Sequence, residues 1–559
     1  MLRVNRLYYG DCLSIMRDMP MGCVDLVYLD PPFNSNRDYN AIYKDETGRP
    51  IPDQIEAFND LWELSEERQR AIRMMPVLMR DYGVADDIVE FWKIWMNALR
   101  NTQPRLLAYL SYMTERLLPL RTIVKPTGSI FLHCDQTASH YIKVMMDGIF
   151  GHENFRNEII WKRQSAHSDA KTKFSAVSDS ILFYAASKAA TFYPQYMDHD
   201  PEYVDKFYRF DDHDGRGRYR LGDMSAPKGG GMAAINKKTG LPNGWHIYKG
   251  YEPPATGWRY SPETLAKLDS EGRIHFPSHK DGTHDTTKRL ALKRYLEEQK
   301  GSIVTNVWTD IPPVQGKEAM GYPTQKPTIL LERIISATTE RGQTVFDPFC
   351  GCATTIEAAH ALGRKWIGID IAIHAVKRVA KVRLEDRLGL REGVDFTIEG
   401  VPQSLEGAQD LWERDKHQFQ KWAIEQIDGF VTSRKTADGG IDGRLYFSLP
   451  NERDLHSMVI EVKGGKNVNP TVLRDLRGVL ERDQALMAGL ILMDDLGDRK
   501  MANFRREMGT AGDLDVSGVL YPRMQILTVP DIIAGKRFLT PSVARGRSVS
   551  QPVLPMGSL

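Results

Sequence analysis

The stretch Val24-Asp25-Leu26-Val27-Tyr28-Leu29-Asp30-Pro31-Pro32-Phe33 constrains the fold more than any other part of the chain. Its apolar and β-favouring residues read as a buried strand, and the strand must stop where consecutive prolines offer no N–H to a ladder. Asp30 is thereby set at the carboxyl end of a strand, the edge at which open α/β sheets hold their ligands. Pro31 and Pro32 stiffen the backbone behind the carboxylate, and Phe33 adds a flat ring beside it. A carboxylate, rigid carbonyls and an aromatic face together suit a planar base bearing an exocyclic amine. A bare strand end followed by a proline turn would look the same, so the rest of the chain has to decide.

At 559 residues the chain is too long for one ordinary core and suggests about two to four domains. Apolar residues at 42% and charged residues at 26% are those of a globular protein in water. No apolar run approaches a membrane span, and Met1-Leu2-Arg3-Val4-Asn5-Arg6 lacks a signal-peptide core, so no membrane partner is expected. Cys12, Cys23, Cys134, Cys350 and Cys352 show neither zinc spacing nor a disulfide framework, which points to a reducing cytoplasm. A net charge of +1 says nothing of partners, and any nucleic-acid surface must come from local patches.

Upstream, Leu7-Tyr8-Tyr9-Gly10-Asp11 is a short strand ending in Gly-Asp, and Asp11 could serve a ligand or cap the helix that follows. From Tyr39 to about Thr102 the pattern is helical, with Trp62, Met74, Met75, Trp92, Trp95 and Met96 as packing residues rather than a cofactor site. A helix over 106–124, a strand over 129–134, a helix over 141–150 and strands over 158–161 and 180–184 come next. Such alternation predicts a doubly wound sheet with helices on both faces. From about Phe192 to Trp308, Gly, Pro, basic and aromatic residues interleave with weak periodicity (Lys228-Gly229-Gly230-Gly231, Gly257-Trp258-Arg259-Tyr260). This is an irregular insertion whose mixture of charge and rings fits DNA, although a solvated loop region shares that composition.

Order returns with Tyr322-Pro323-Thr324-Gln325-Lys326-Pro327 and a helix from Thr328. Thr344-Val345-Phe346-Asp347-Pro348-Phe349-Cys350-Gly351-Cys352-Ala353-Thr354-Thr355 then gives strand, tight turn and helix, and Trp366-Ile367-Gly368-Ile369-Asp370 a second strand ending in an acid. Strand, turn, helix, strand and acid form a nucleotide-type site, in which the second acid can take both ribose hydroxyls. A phosphate loop is excluded by the lack of Gly-Lys-Ser/Thr. An acid at the end of each strand suits a ligand with an amino-acid cation and a ribose, namely S-adenosylmethionine.

Asp30-Pro31-Pro32-Phe33 upstream of Asp347-Pro348-Phe349-Cys350-Gly351 resembles the DNA amino-methyltransferases in the permuted (beta-class) order, catalytic motif first. The resemblance covers residues 5 to 385, and the stretches around 157–161 and 179–184 are similar to type III modification subunits. It implies a Rossmann-like sheet, S-adenosylmethionine as donor and a flipped adenine N6 or cytosine N4 in double-stranded DNA as acceptor. Asp at the head of the motif favours adenine. Asp30, Pro31, Pro32 and Phe33 are then the catalytic residues, and Asp11, Lys326, Pro327, Asp347, Phe349, Gly351, Thr354 and Asp370 the donor-binding ones. Partners implied are a restriction subunit and a second copy of the chain. Cys352-Ala353 departs from the family's usual Ser-Gly, which puts donor affinity in question.

After Gly393 a second unit begins. A helix over 417–427 precedes Asp438-Gly439-Gly440-Ile441-Asp442-Gly443, a strand over 444–449 and Met458-Val459-Ile460-Glu461-Val462-Lys463. An acid on one strand and Glu-x-Lys on the next is the arrangement of Mg²⁺-dependent nucleases, with Asp442 and Glu461 on the metal and Lys463 beside them. An exposed, salt-bridged strand pair has the same residues. The stretch resembles Mrr-like restriction-endonuclease domains, which implies a smaller C-terminal α/β fold of the PD-(D/E)xK type. The expected division is a methyltransferase part at 1–191 and 321–392 with a helical insert at 40–105, a recognition insertion at 192–320, an endonuclease-like domain at 393–540 and a disordered tail at 541–559.

Overall fold

The computed structural model describes residues 3–32, 62, 64–164, 174–319, 325–373, 375–376, 381–432, 441–449, 455–465 and 468–541. Phe33 and the tail after 541 lie outside them.

The strand that ends at Asp30 is central. Nine strands form one sheet: β1 (Arg6–Tyr9), β2 (Val24–Leu29), β3 (Val124–Cys134), β4 (Phe155–Lys162), β5 (Ser178–Ala185), β6 (Val307–Trp308), β7 (Thr344–Asp347), β8 (Lys365–Asp370) and β9 (Thr397–Glu399). Their order is β6-β4-β5-β3-β2-β7-β8-β1-β9. Neighbours from β3 through β9 are parallel, while β5 runs antiparallel to both β3 and β4. All six residues of β2 are buried, as a strand covered on both faces requires.

One buried acid fixes the pairing that matters most. Asp25 is 3% exposed, pairs with Lys125 Nζ at 2.8 Å and accepts a hydrogen bond from the Thr344 N–H at 2.9 Å. That bond anchors the start of β7 on β2, and Val345 and Phe346 then register against Leu26 and Val27. The two acid-terminated strands, far apart in the chain, thus lie side by side.

Helices α1 (Cys12–Arg17), α2 (Glu66–Asp81), α3 (Asp86–Thr102), α4 (Pro104–Ile123) and α5 (Ser139–Phe150) accompany the first half of the sheet. Met75, Met79, Trp92 and Met96 are buried in the same core as Val27, Leu29 and Ile130, and Trp62 and Trp95 pack against it, whereas Met74 is exposed; residues 40–61 of the expected insert lie outside the described ones. α6 (Thr328–Thr338) and α7 (Thr354–Ala361) accompany β7 and β8.

The chain divides into two compact units, Pro194–Thr305 and the remainder. The former is mostly irregular, with a three-stranded antiparallel sheet (Tyr219–Gly222, Ala291–Tyr295, Ile274–His275) and a small core around Trp258, Tyr251, Met224 and Leu265.

Within the larger unit the C-terminal region builds a five-stranded sheet in the order β10 (Phe430–Val431), β11 (Gly443–Ser448), β12 (Leu455–Lys463), β13 (Met487–Leu492), β14 (Met524–Thr528). The first three are antiparallel and the last three parallel. The boundary expected near 393 is crossed by a shared core: Tyr9 and Ile373 cluster with Phe419, Trp422, Ala423 and Ile424 of α8 (Lys416–Gln426) and with Ile460 of β12. Large apolar side chains on one face of α8 require a covering surface, and the end of the large sheet supplies part of it.

Candidate active site at the strand ends

β2, β7, β8 and β1 are consecutive and parallel, so their carboxyl ends share one edge and bring Asp30, Asp347, Asp370 and Asp11 together. Each is there for a local reason. Pro31 and Pro32 end β2, a left-handed turn at Gly351 (φ 48°) ends the segment after β7, and Gly10 (φ 150°) turns the chain after β1.

Asp30 Oδ2 is held by Lys326 Nζ at 2.6 Å. Lys326 is 8% exposed and lies just before α6, where Pro327 is the residue preceding the first turn. Lys326, which the resemblance implies to be donor-binding, is thus in direct contact with the Asp30 carboxylate. Among the described residues Asp30 Oδ1 accepts no hydrogen bond.

Asp347 is 2% exposed and accepts a bond from the Phe349 N–H at 3.0 Å. Burial pushes its carboxyl up to about 7, with Asp30 and Asp370 adding repulsion and the Thr355 hydroxyl opposing. Asp370 accepts from Gly351 N–H and from Ala372 N–H, both at 2.8 Å, and burial raises its carboxyl too. The Phe349 ring packs on the main core, and Thr354 opens α7 with its hydroxyl 3.5 Å from Cys352 Sγ. Asp11 caps α1 through the Leu13 N–H at 3.0 Å, and both of its oxygens lie 2.8 Å from Arg116. The cap that the sequence left open is therefore made, with an ion pair besides.

Two features escape sequence reasoning. Tyr28, two residues before Asp30, hydrogen-bonds His133 Nδ1 on β3 at 2.9 Å. His133 Nε2 lies 3.1 Å from Asp179 on β5, and Asp179 meets Arg163 Nε at 2.8 Å. A buried polar chain thus crosses three strands beneath Asp30. Its members are scattered in the chain, and only the two-residue spacing of Tyr28 and Asp30 hinted that they share a face. The second feature is Ala353 in the left-handed region (φ 61°), a conformation visible only in the backbone.

Acids thus converge on one edge, with Asp347 buried among them, beside a backbone turned by Gly351. The sequence profile of the N6_N4_Mtase family, described as DNA methylase, matches residues 24–381. The chain belongs to this DNA methylase family. Among its relatives, the Type II methyltransferase M.EcaI of Enterobacter cloacae is 32% identical over 277 residues, 49% of this chain and 57% of that protein. The Type III restriction-modification enzyme StyLTI Mod subunit of Salmonella typhimurium is 26% identical over 377 residues, 65% of this chain and 50% of that one. The chain thus spans about half the length of those relatives. A solved putative DNA modification methylase of Thermus thermophilus, complexed with S-adenosyl-L-methionine, matches 71% of the chain and 99% of its own. Its identity is 14% and its TM-score 0.31.

In the C-terminal sheet, Asp442 immediately precedes β11, and its Oδ2 accepts from the Val462 N–H at 2.7 Å while Gln420 Nε2 donates to Oδ1 at 3.1 Å. Lys463 Nζ lies 2.6 Å from Glu461 Oε1. Glu461 Oε2 is buried and has no hydrogen-bond partner among the described residues. The three residues that the sequence singles out are therefore neighbours on adjacent strands. Among the described residues, no group of three or more His, Cys, Asp or Glu side chains is placed to hold a metal.

Proposed function

We propose that the chain is a site-specific DNA methyltransferase that moves a methyl group from S-adenosylmethionine to the N6 of an adenine flipped out of double-stranded DNA. The observation that carries this is the row of Asp30, Asp347 and Asp370 at the ends of three adjacent parallel strands. The acids fit the donor, whose sulfonium and ammonium charges offset their mutual repulsion. Asp370 would take the ribose hydroxyls and Asp347, with the turn at Gly351, the amino-acid end. When bound, the donor supplies an electrophilic methyl on a sulfonium.

The protein's task is then orientation. An exocyclic amine is a poor nucleophile because its lone pair is delocalised into the ring. Asp30 Oδ1 and the Pro31 carbonyl accept its two N–H bonds and favour a tetrahedral nitrogen, while Lys326 fixes the other carboxylate oxygen. The buried Tyr28–His133–Asp179 chain holds the strand end beneath. Phe33 is assigned the stacking face against the base.

The permuted motif order and the Mod-subunit relative support a place for this activity in restriction-modification, with a restriction subunit or a second copy as candidate partners and the cytoplasm as compartment. Mass spectrometry of DNA treated with the chain and donor tests the reading: N6-methyladenine is expected, and N4-methylcytosine as sole product overturns the base assignment. Asp30→Ala should lower methyl transfer by about 10²–10³-fold, the usual loss for one preorganised electrostatic group, with donor binding kept.

A second reading concerns the C-terminal sheet, taken as an Mrr-like, Mg²⁺-dependent endonuclease carried on the same chain. Supporting it is Glu461 Oε2, a buried carboxylate oxygen left unpaired beside Asp442 and Lys463. Such an atom costs stability unless something ligates it. Mg²⁺-dependent cutting of unmethylated DNA, lost in Lys463→Ala, is the expected result. DNA left whole with Mg²⁺ and with Mn²⁺ makes the region a binding module.

A further inference from the structure

The loop that follows Asp370 is held from an unexpected direction. Gln418 and Glu425 lie on α8, more than 40 residues downstream, yet both reach its main chain. Gln418 Nε2 donates to the Ile371 carbonyl at 3.1 Å, and Glu425 Oε2 accepts from the Ile373 N–H at 3.1 Å. Between them, the Ala372 N–H is taken by Asp370 itself at 2.8 Å. Three successive residues are thus pinned, two of them by a helix of the C-terminal region.

Apolar packing alone would have seated α8, since Ile373 and Tyr9 already share a core with Phe419 and Trp422. Burying Gln418, which is 4% exposed, costs free energy unless its amide is bonded, so its partner is informative. The loop it holds follows directly on Asp370, the acid assigned to the ribose. That loop also presents Ile371, a large apolar side chain 46% exposed directly beside the acid, a surface suited to the face of a purine. The Lys421 charge on the same helix acts on Asp370 and on Glu425, offsetting part of the burial that pushes the Glu425 carboxyl up to about 7.

We propose that Gln418 and Glu425 are positioning residues of the methyl-donor site, so that the C-terminal region completes the pocket for the adenosine half of the donor. The inference rests on the donor reading above and extends it to residues outside the family match, which ends at 381. Neither side chain needs to touch the donor; they set the loop that does.

The test uses the full chain with Glu425→Ala, Glu425→Gln and Gln418→Ala. S-adenosylmethionine binding is measured by calorimetry without DNA, and KM for donor and for DNA by steady-state assay. Glu425→Ala leaves the Ile373 N–H unpaired and should weaken donor binding about 10-fold, raising KM for the donor with little change in kcat or in KM for DNA. Glu425→Gln should restore binding to within about threefold, because an amide oxygen still accepts that N–H. Gln418→Ala should act in the same direction and serves where Glu425→Ala does not fold. Donor affinity unchanged in variants that melt with the wild type overturns the proposal, as does equal loss of donor and DNA binding. A wild-type chain that binds no S-adenosylmethionine overturns the donor reading itself, a result distinct from either.

Discussion

Ala353 shows how one residue can be out of keeping with its backbone. Its φ of 61° and ψ of 32° lie in the left-handed region, and it is wholly buried at the start of α7. For a residue with a Cβ that conformation costs about 1–2 kcal/mol, which is why a glycine is usual in the resembling family. Replacing it with glycine is nevertheless not a simple gain. The added freedom of the unfolded chain offsets about 0.5–1 kcal/mol, and the lost buried methyl about 0.8 kcal/mol more. Ala353→Gly is therefore expected to unfold within about 1 kcal/mol of wild type, the three effects nearly cancelling. Ala353→Val adds a branched side chain to the same strained, filled position, and should cost about 3 kcal/mol or more. Urea unfolding of both variants checks this; a strongly stabilised glycine variant would mean that the strain dominates.

At the scale of elements, the site was legible because strand ends are legible. Leu26–Leu29 and Trp366–Ile369 are apolar runs closed by an acid, and parallel neighbours put such acids on one edge. The Lys326–Asp30 pair and the Tyr28–His133–Asp179 chain were not legible, since each joins residues with no local relation. Convergence of acids also sets a pH dependence. The Asp347 and Glu425 carboxyls stand at about 7, above their ordinary 3.8 and 4.5, chiefly through burial. A carboxyl raised on folding contributes stability that is complete below its unfolded pKa and lost as pH climbs to its folded one. The donor-free protein should therefore lose stability between about pH 4 and 7 on this account. Ionised carboxylates attract a sulfonium more than neutral ones do, so on the donor reading affinity should rise from about pH 6 to about pH 8. Melting curves at several pH values, with and without S-adenosylmethionine, read both; donor-induced stabilisation that stays flat over this range would count against a cation pocket.

On the scale of the whole chain, the sequence suggests a seam near 393, because texture and motif both change there. What it could not show is that the apolar face of α8 is shared. Phe419, Trp422, Ala423 and Ile424 are wholly buried in one cluster that holds Tyr9 from β1 and Ile373 from the loop after β8 on one side, and Leu445, Ile460 and Ile491 of the C-terminal sheet on the other. α8 also carries Gln418 and Glu425 to the Asp370 loop and Gln420 to Asp442, so one helix bonds both candidate sites. Parting the two sheets would expose several such side chains at about 1.5–3 kcal/mol each, comparable to the whole stability of an ordinary domain. The large sheet and the C-terminal sheet should accordingly unfold together, whereas Pro194–Thr305, with its own small core, is free to melt separately. Calorimetry of the full chain should show one main transition for the two sheets. It should move as a whole when S-adenosylmethionine is added, since a ligand of the native state stabilises everything that must unfold with its site. A C-terminal transition that stays in place while the other shifts would show that the shared core does not couple them, and would return α8 to the role of a linker.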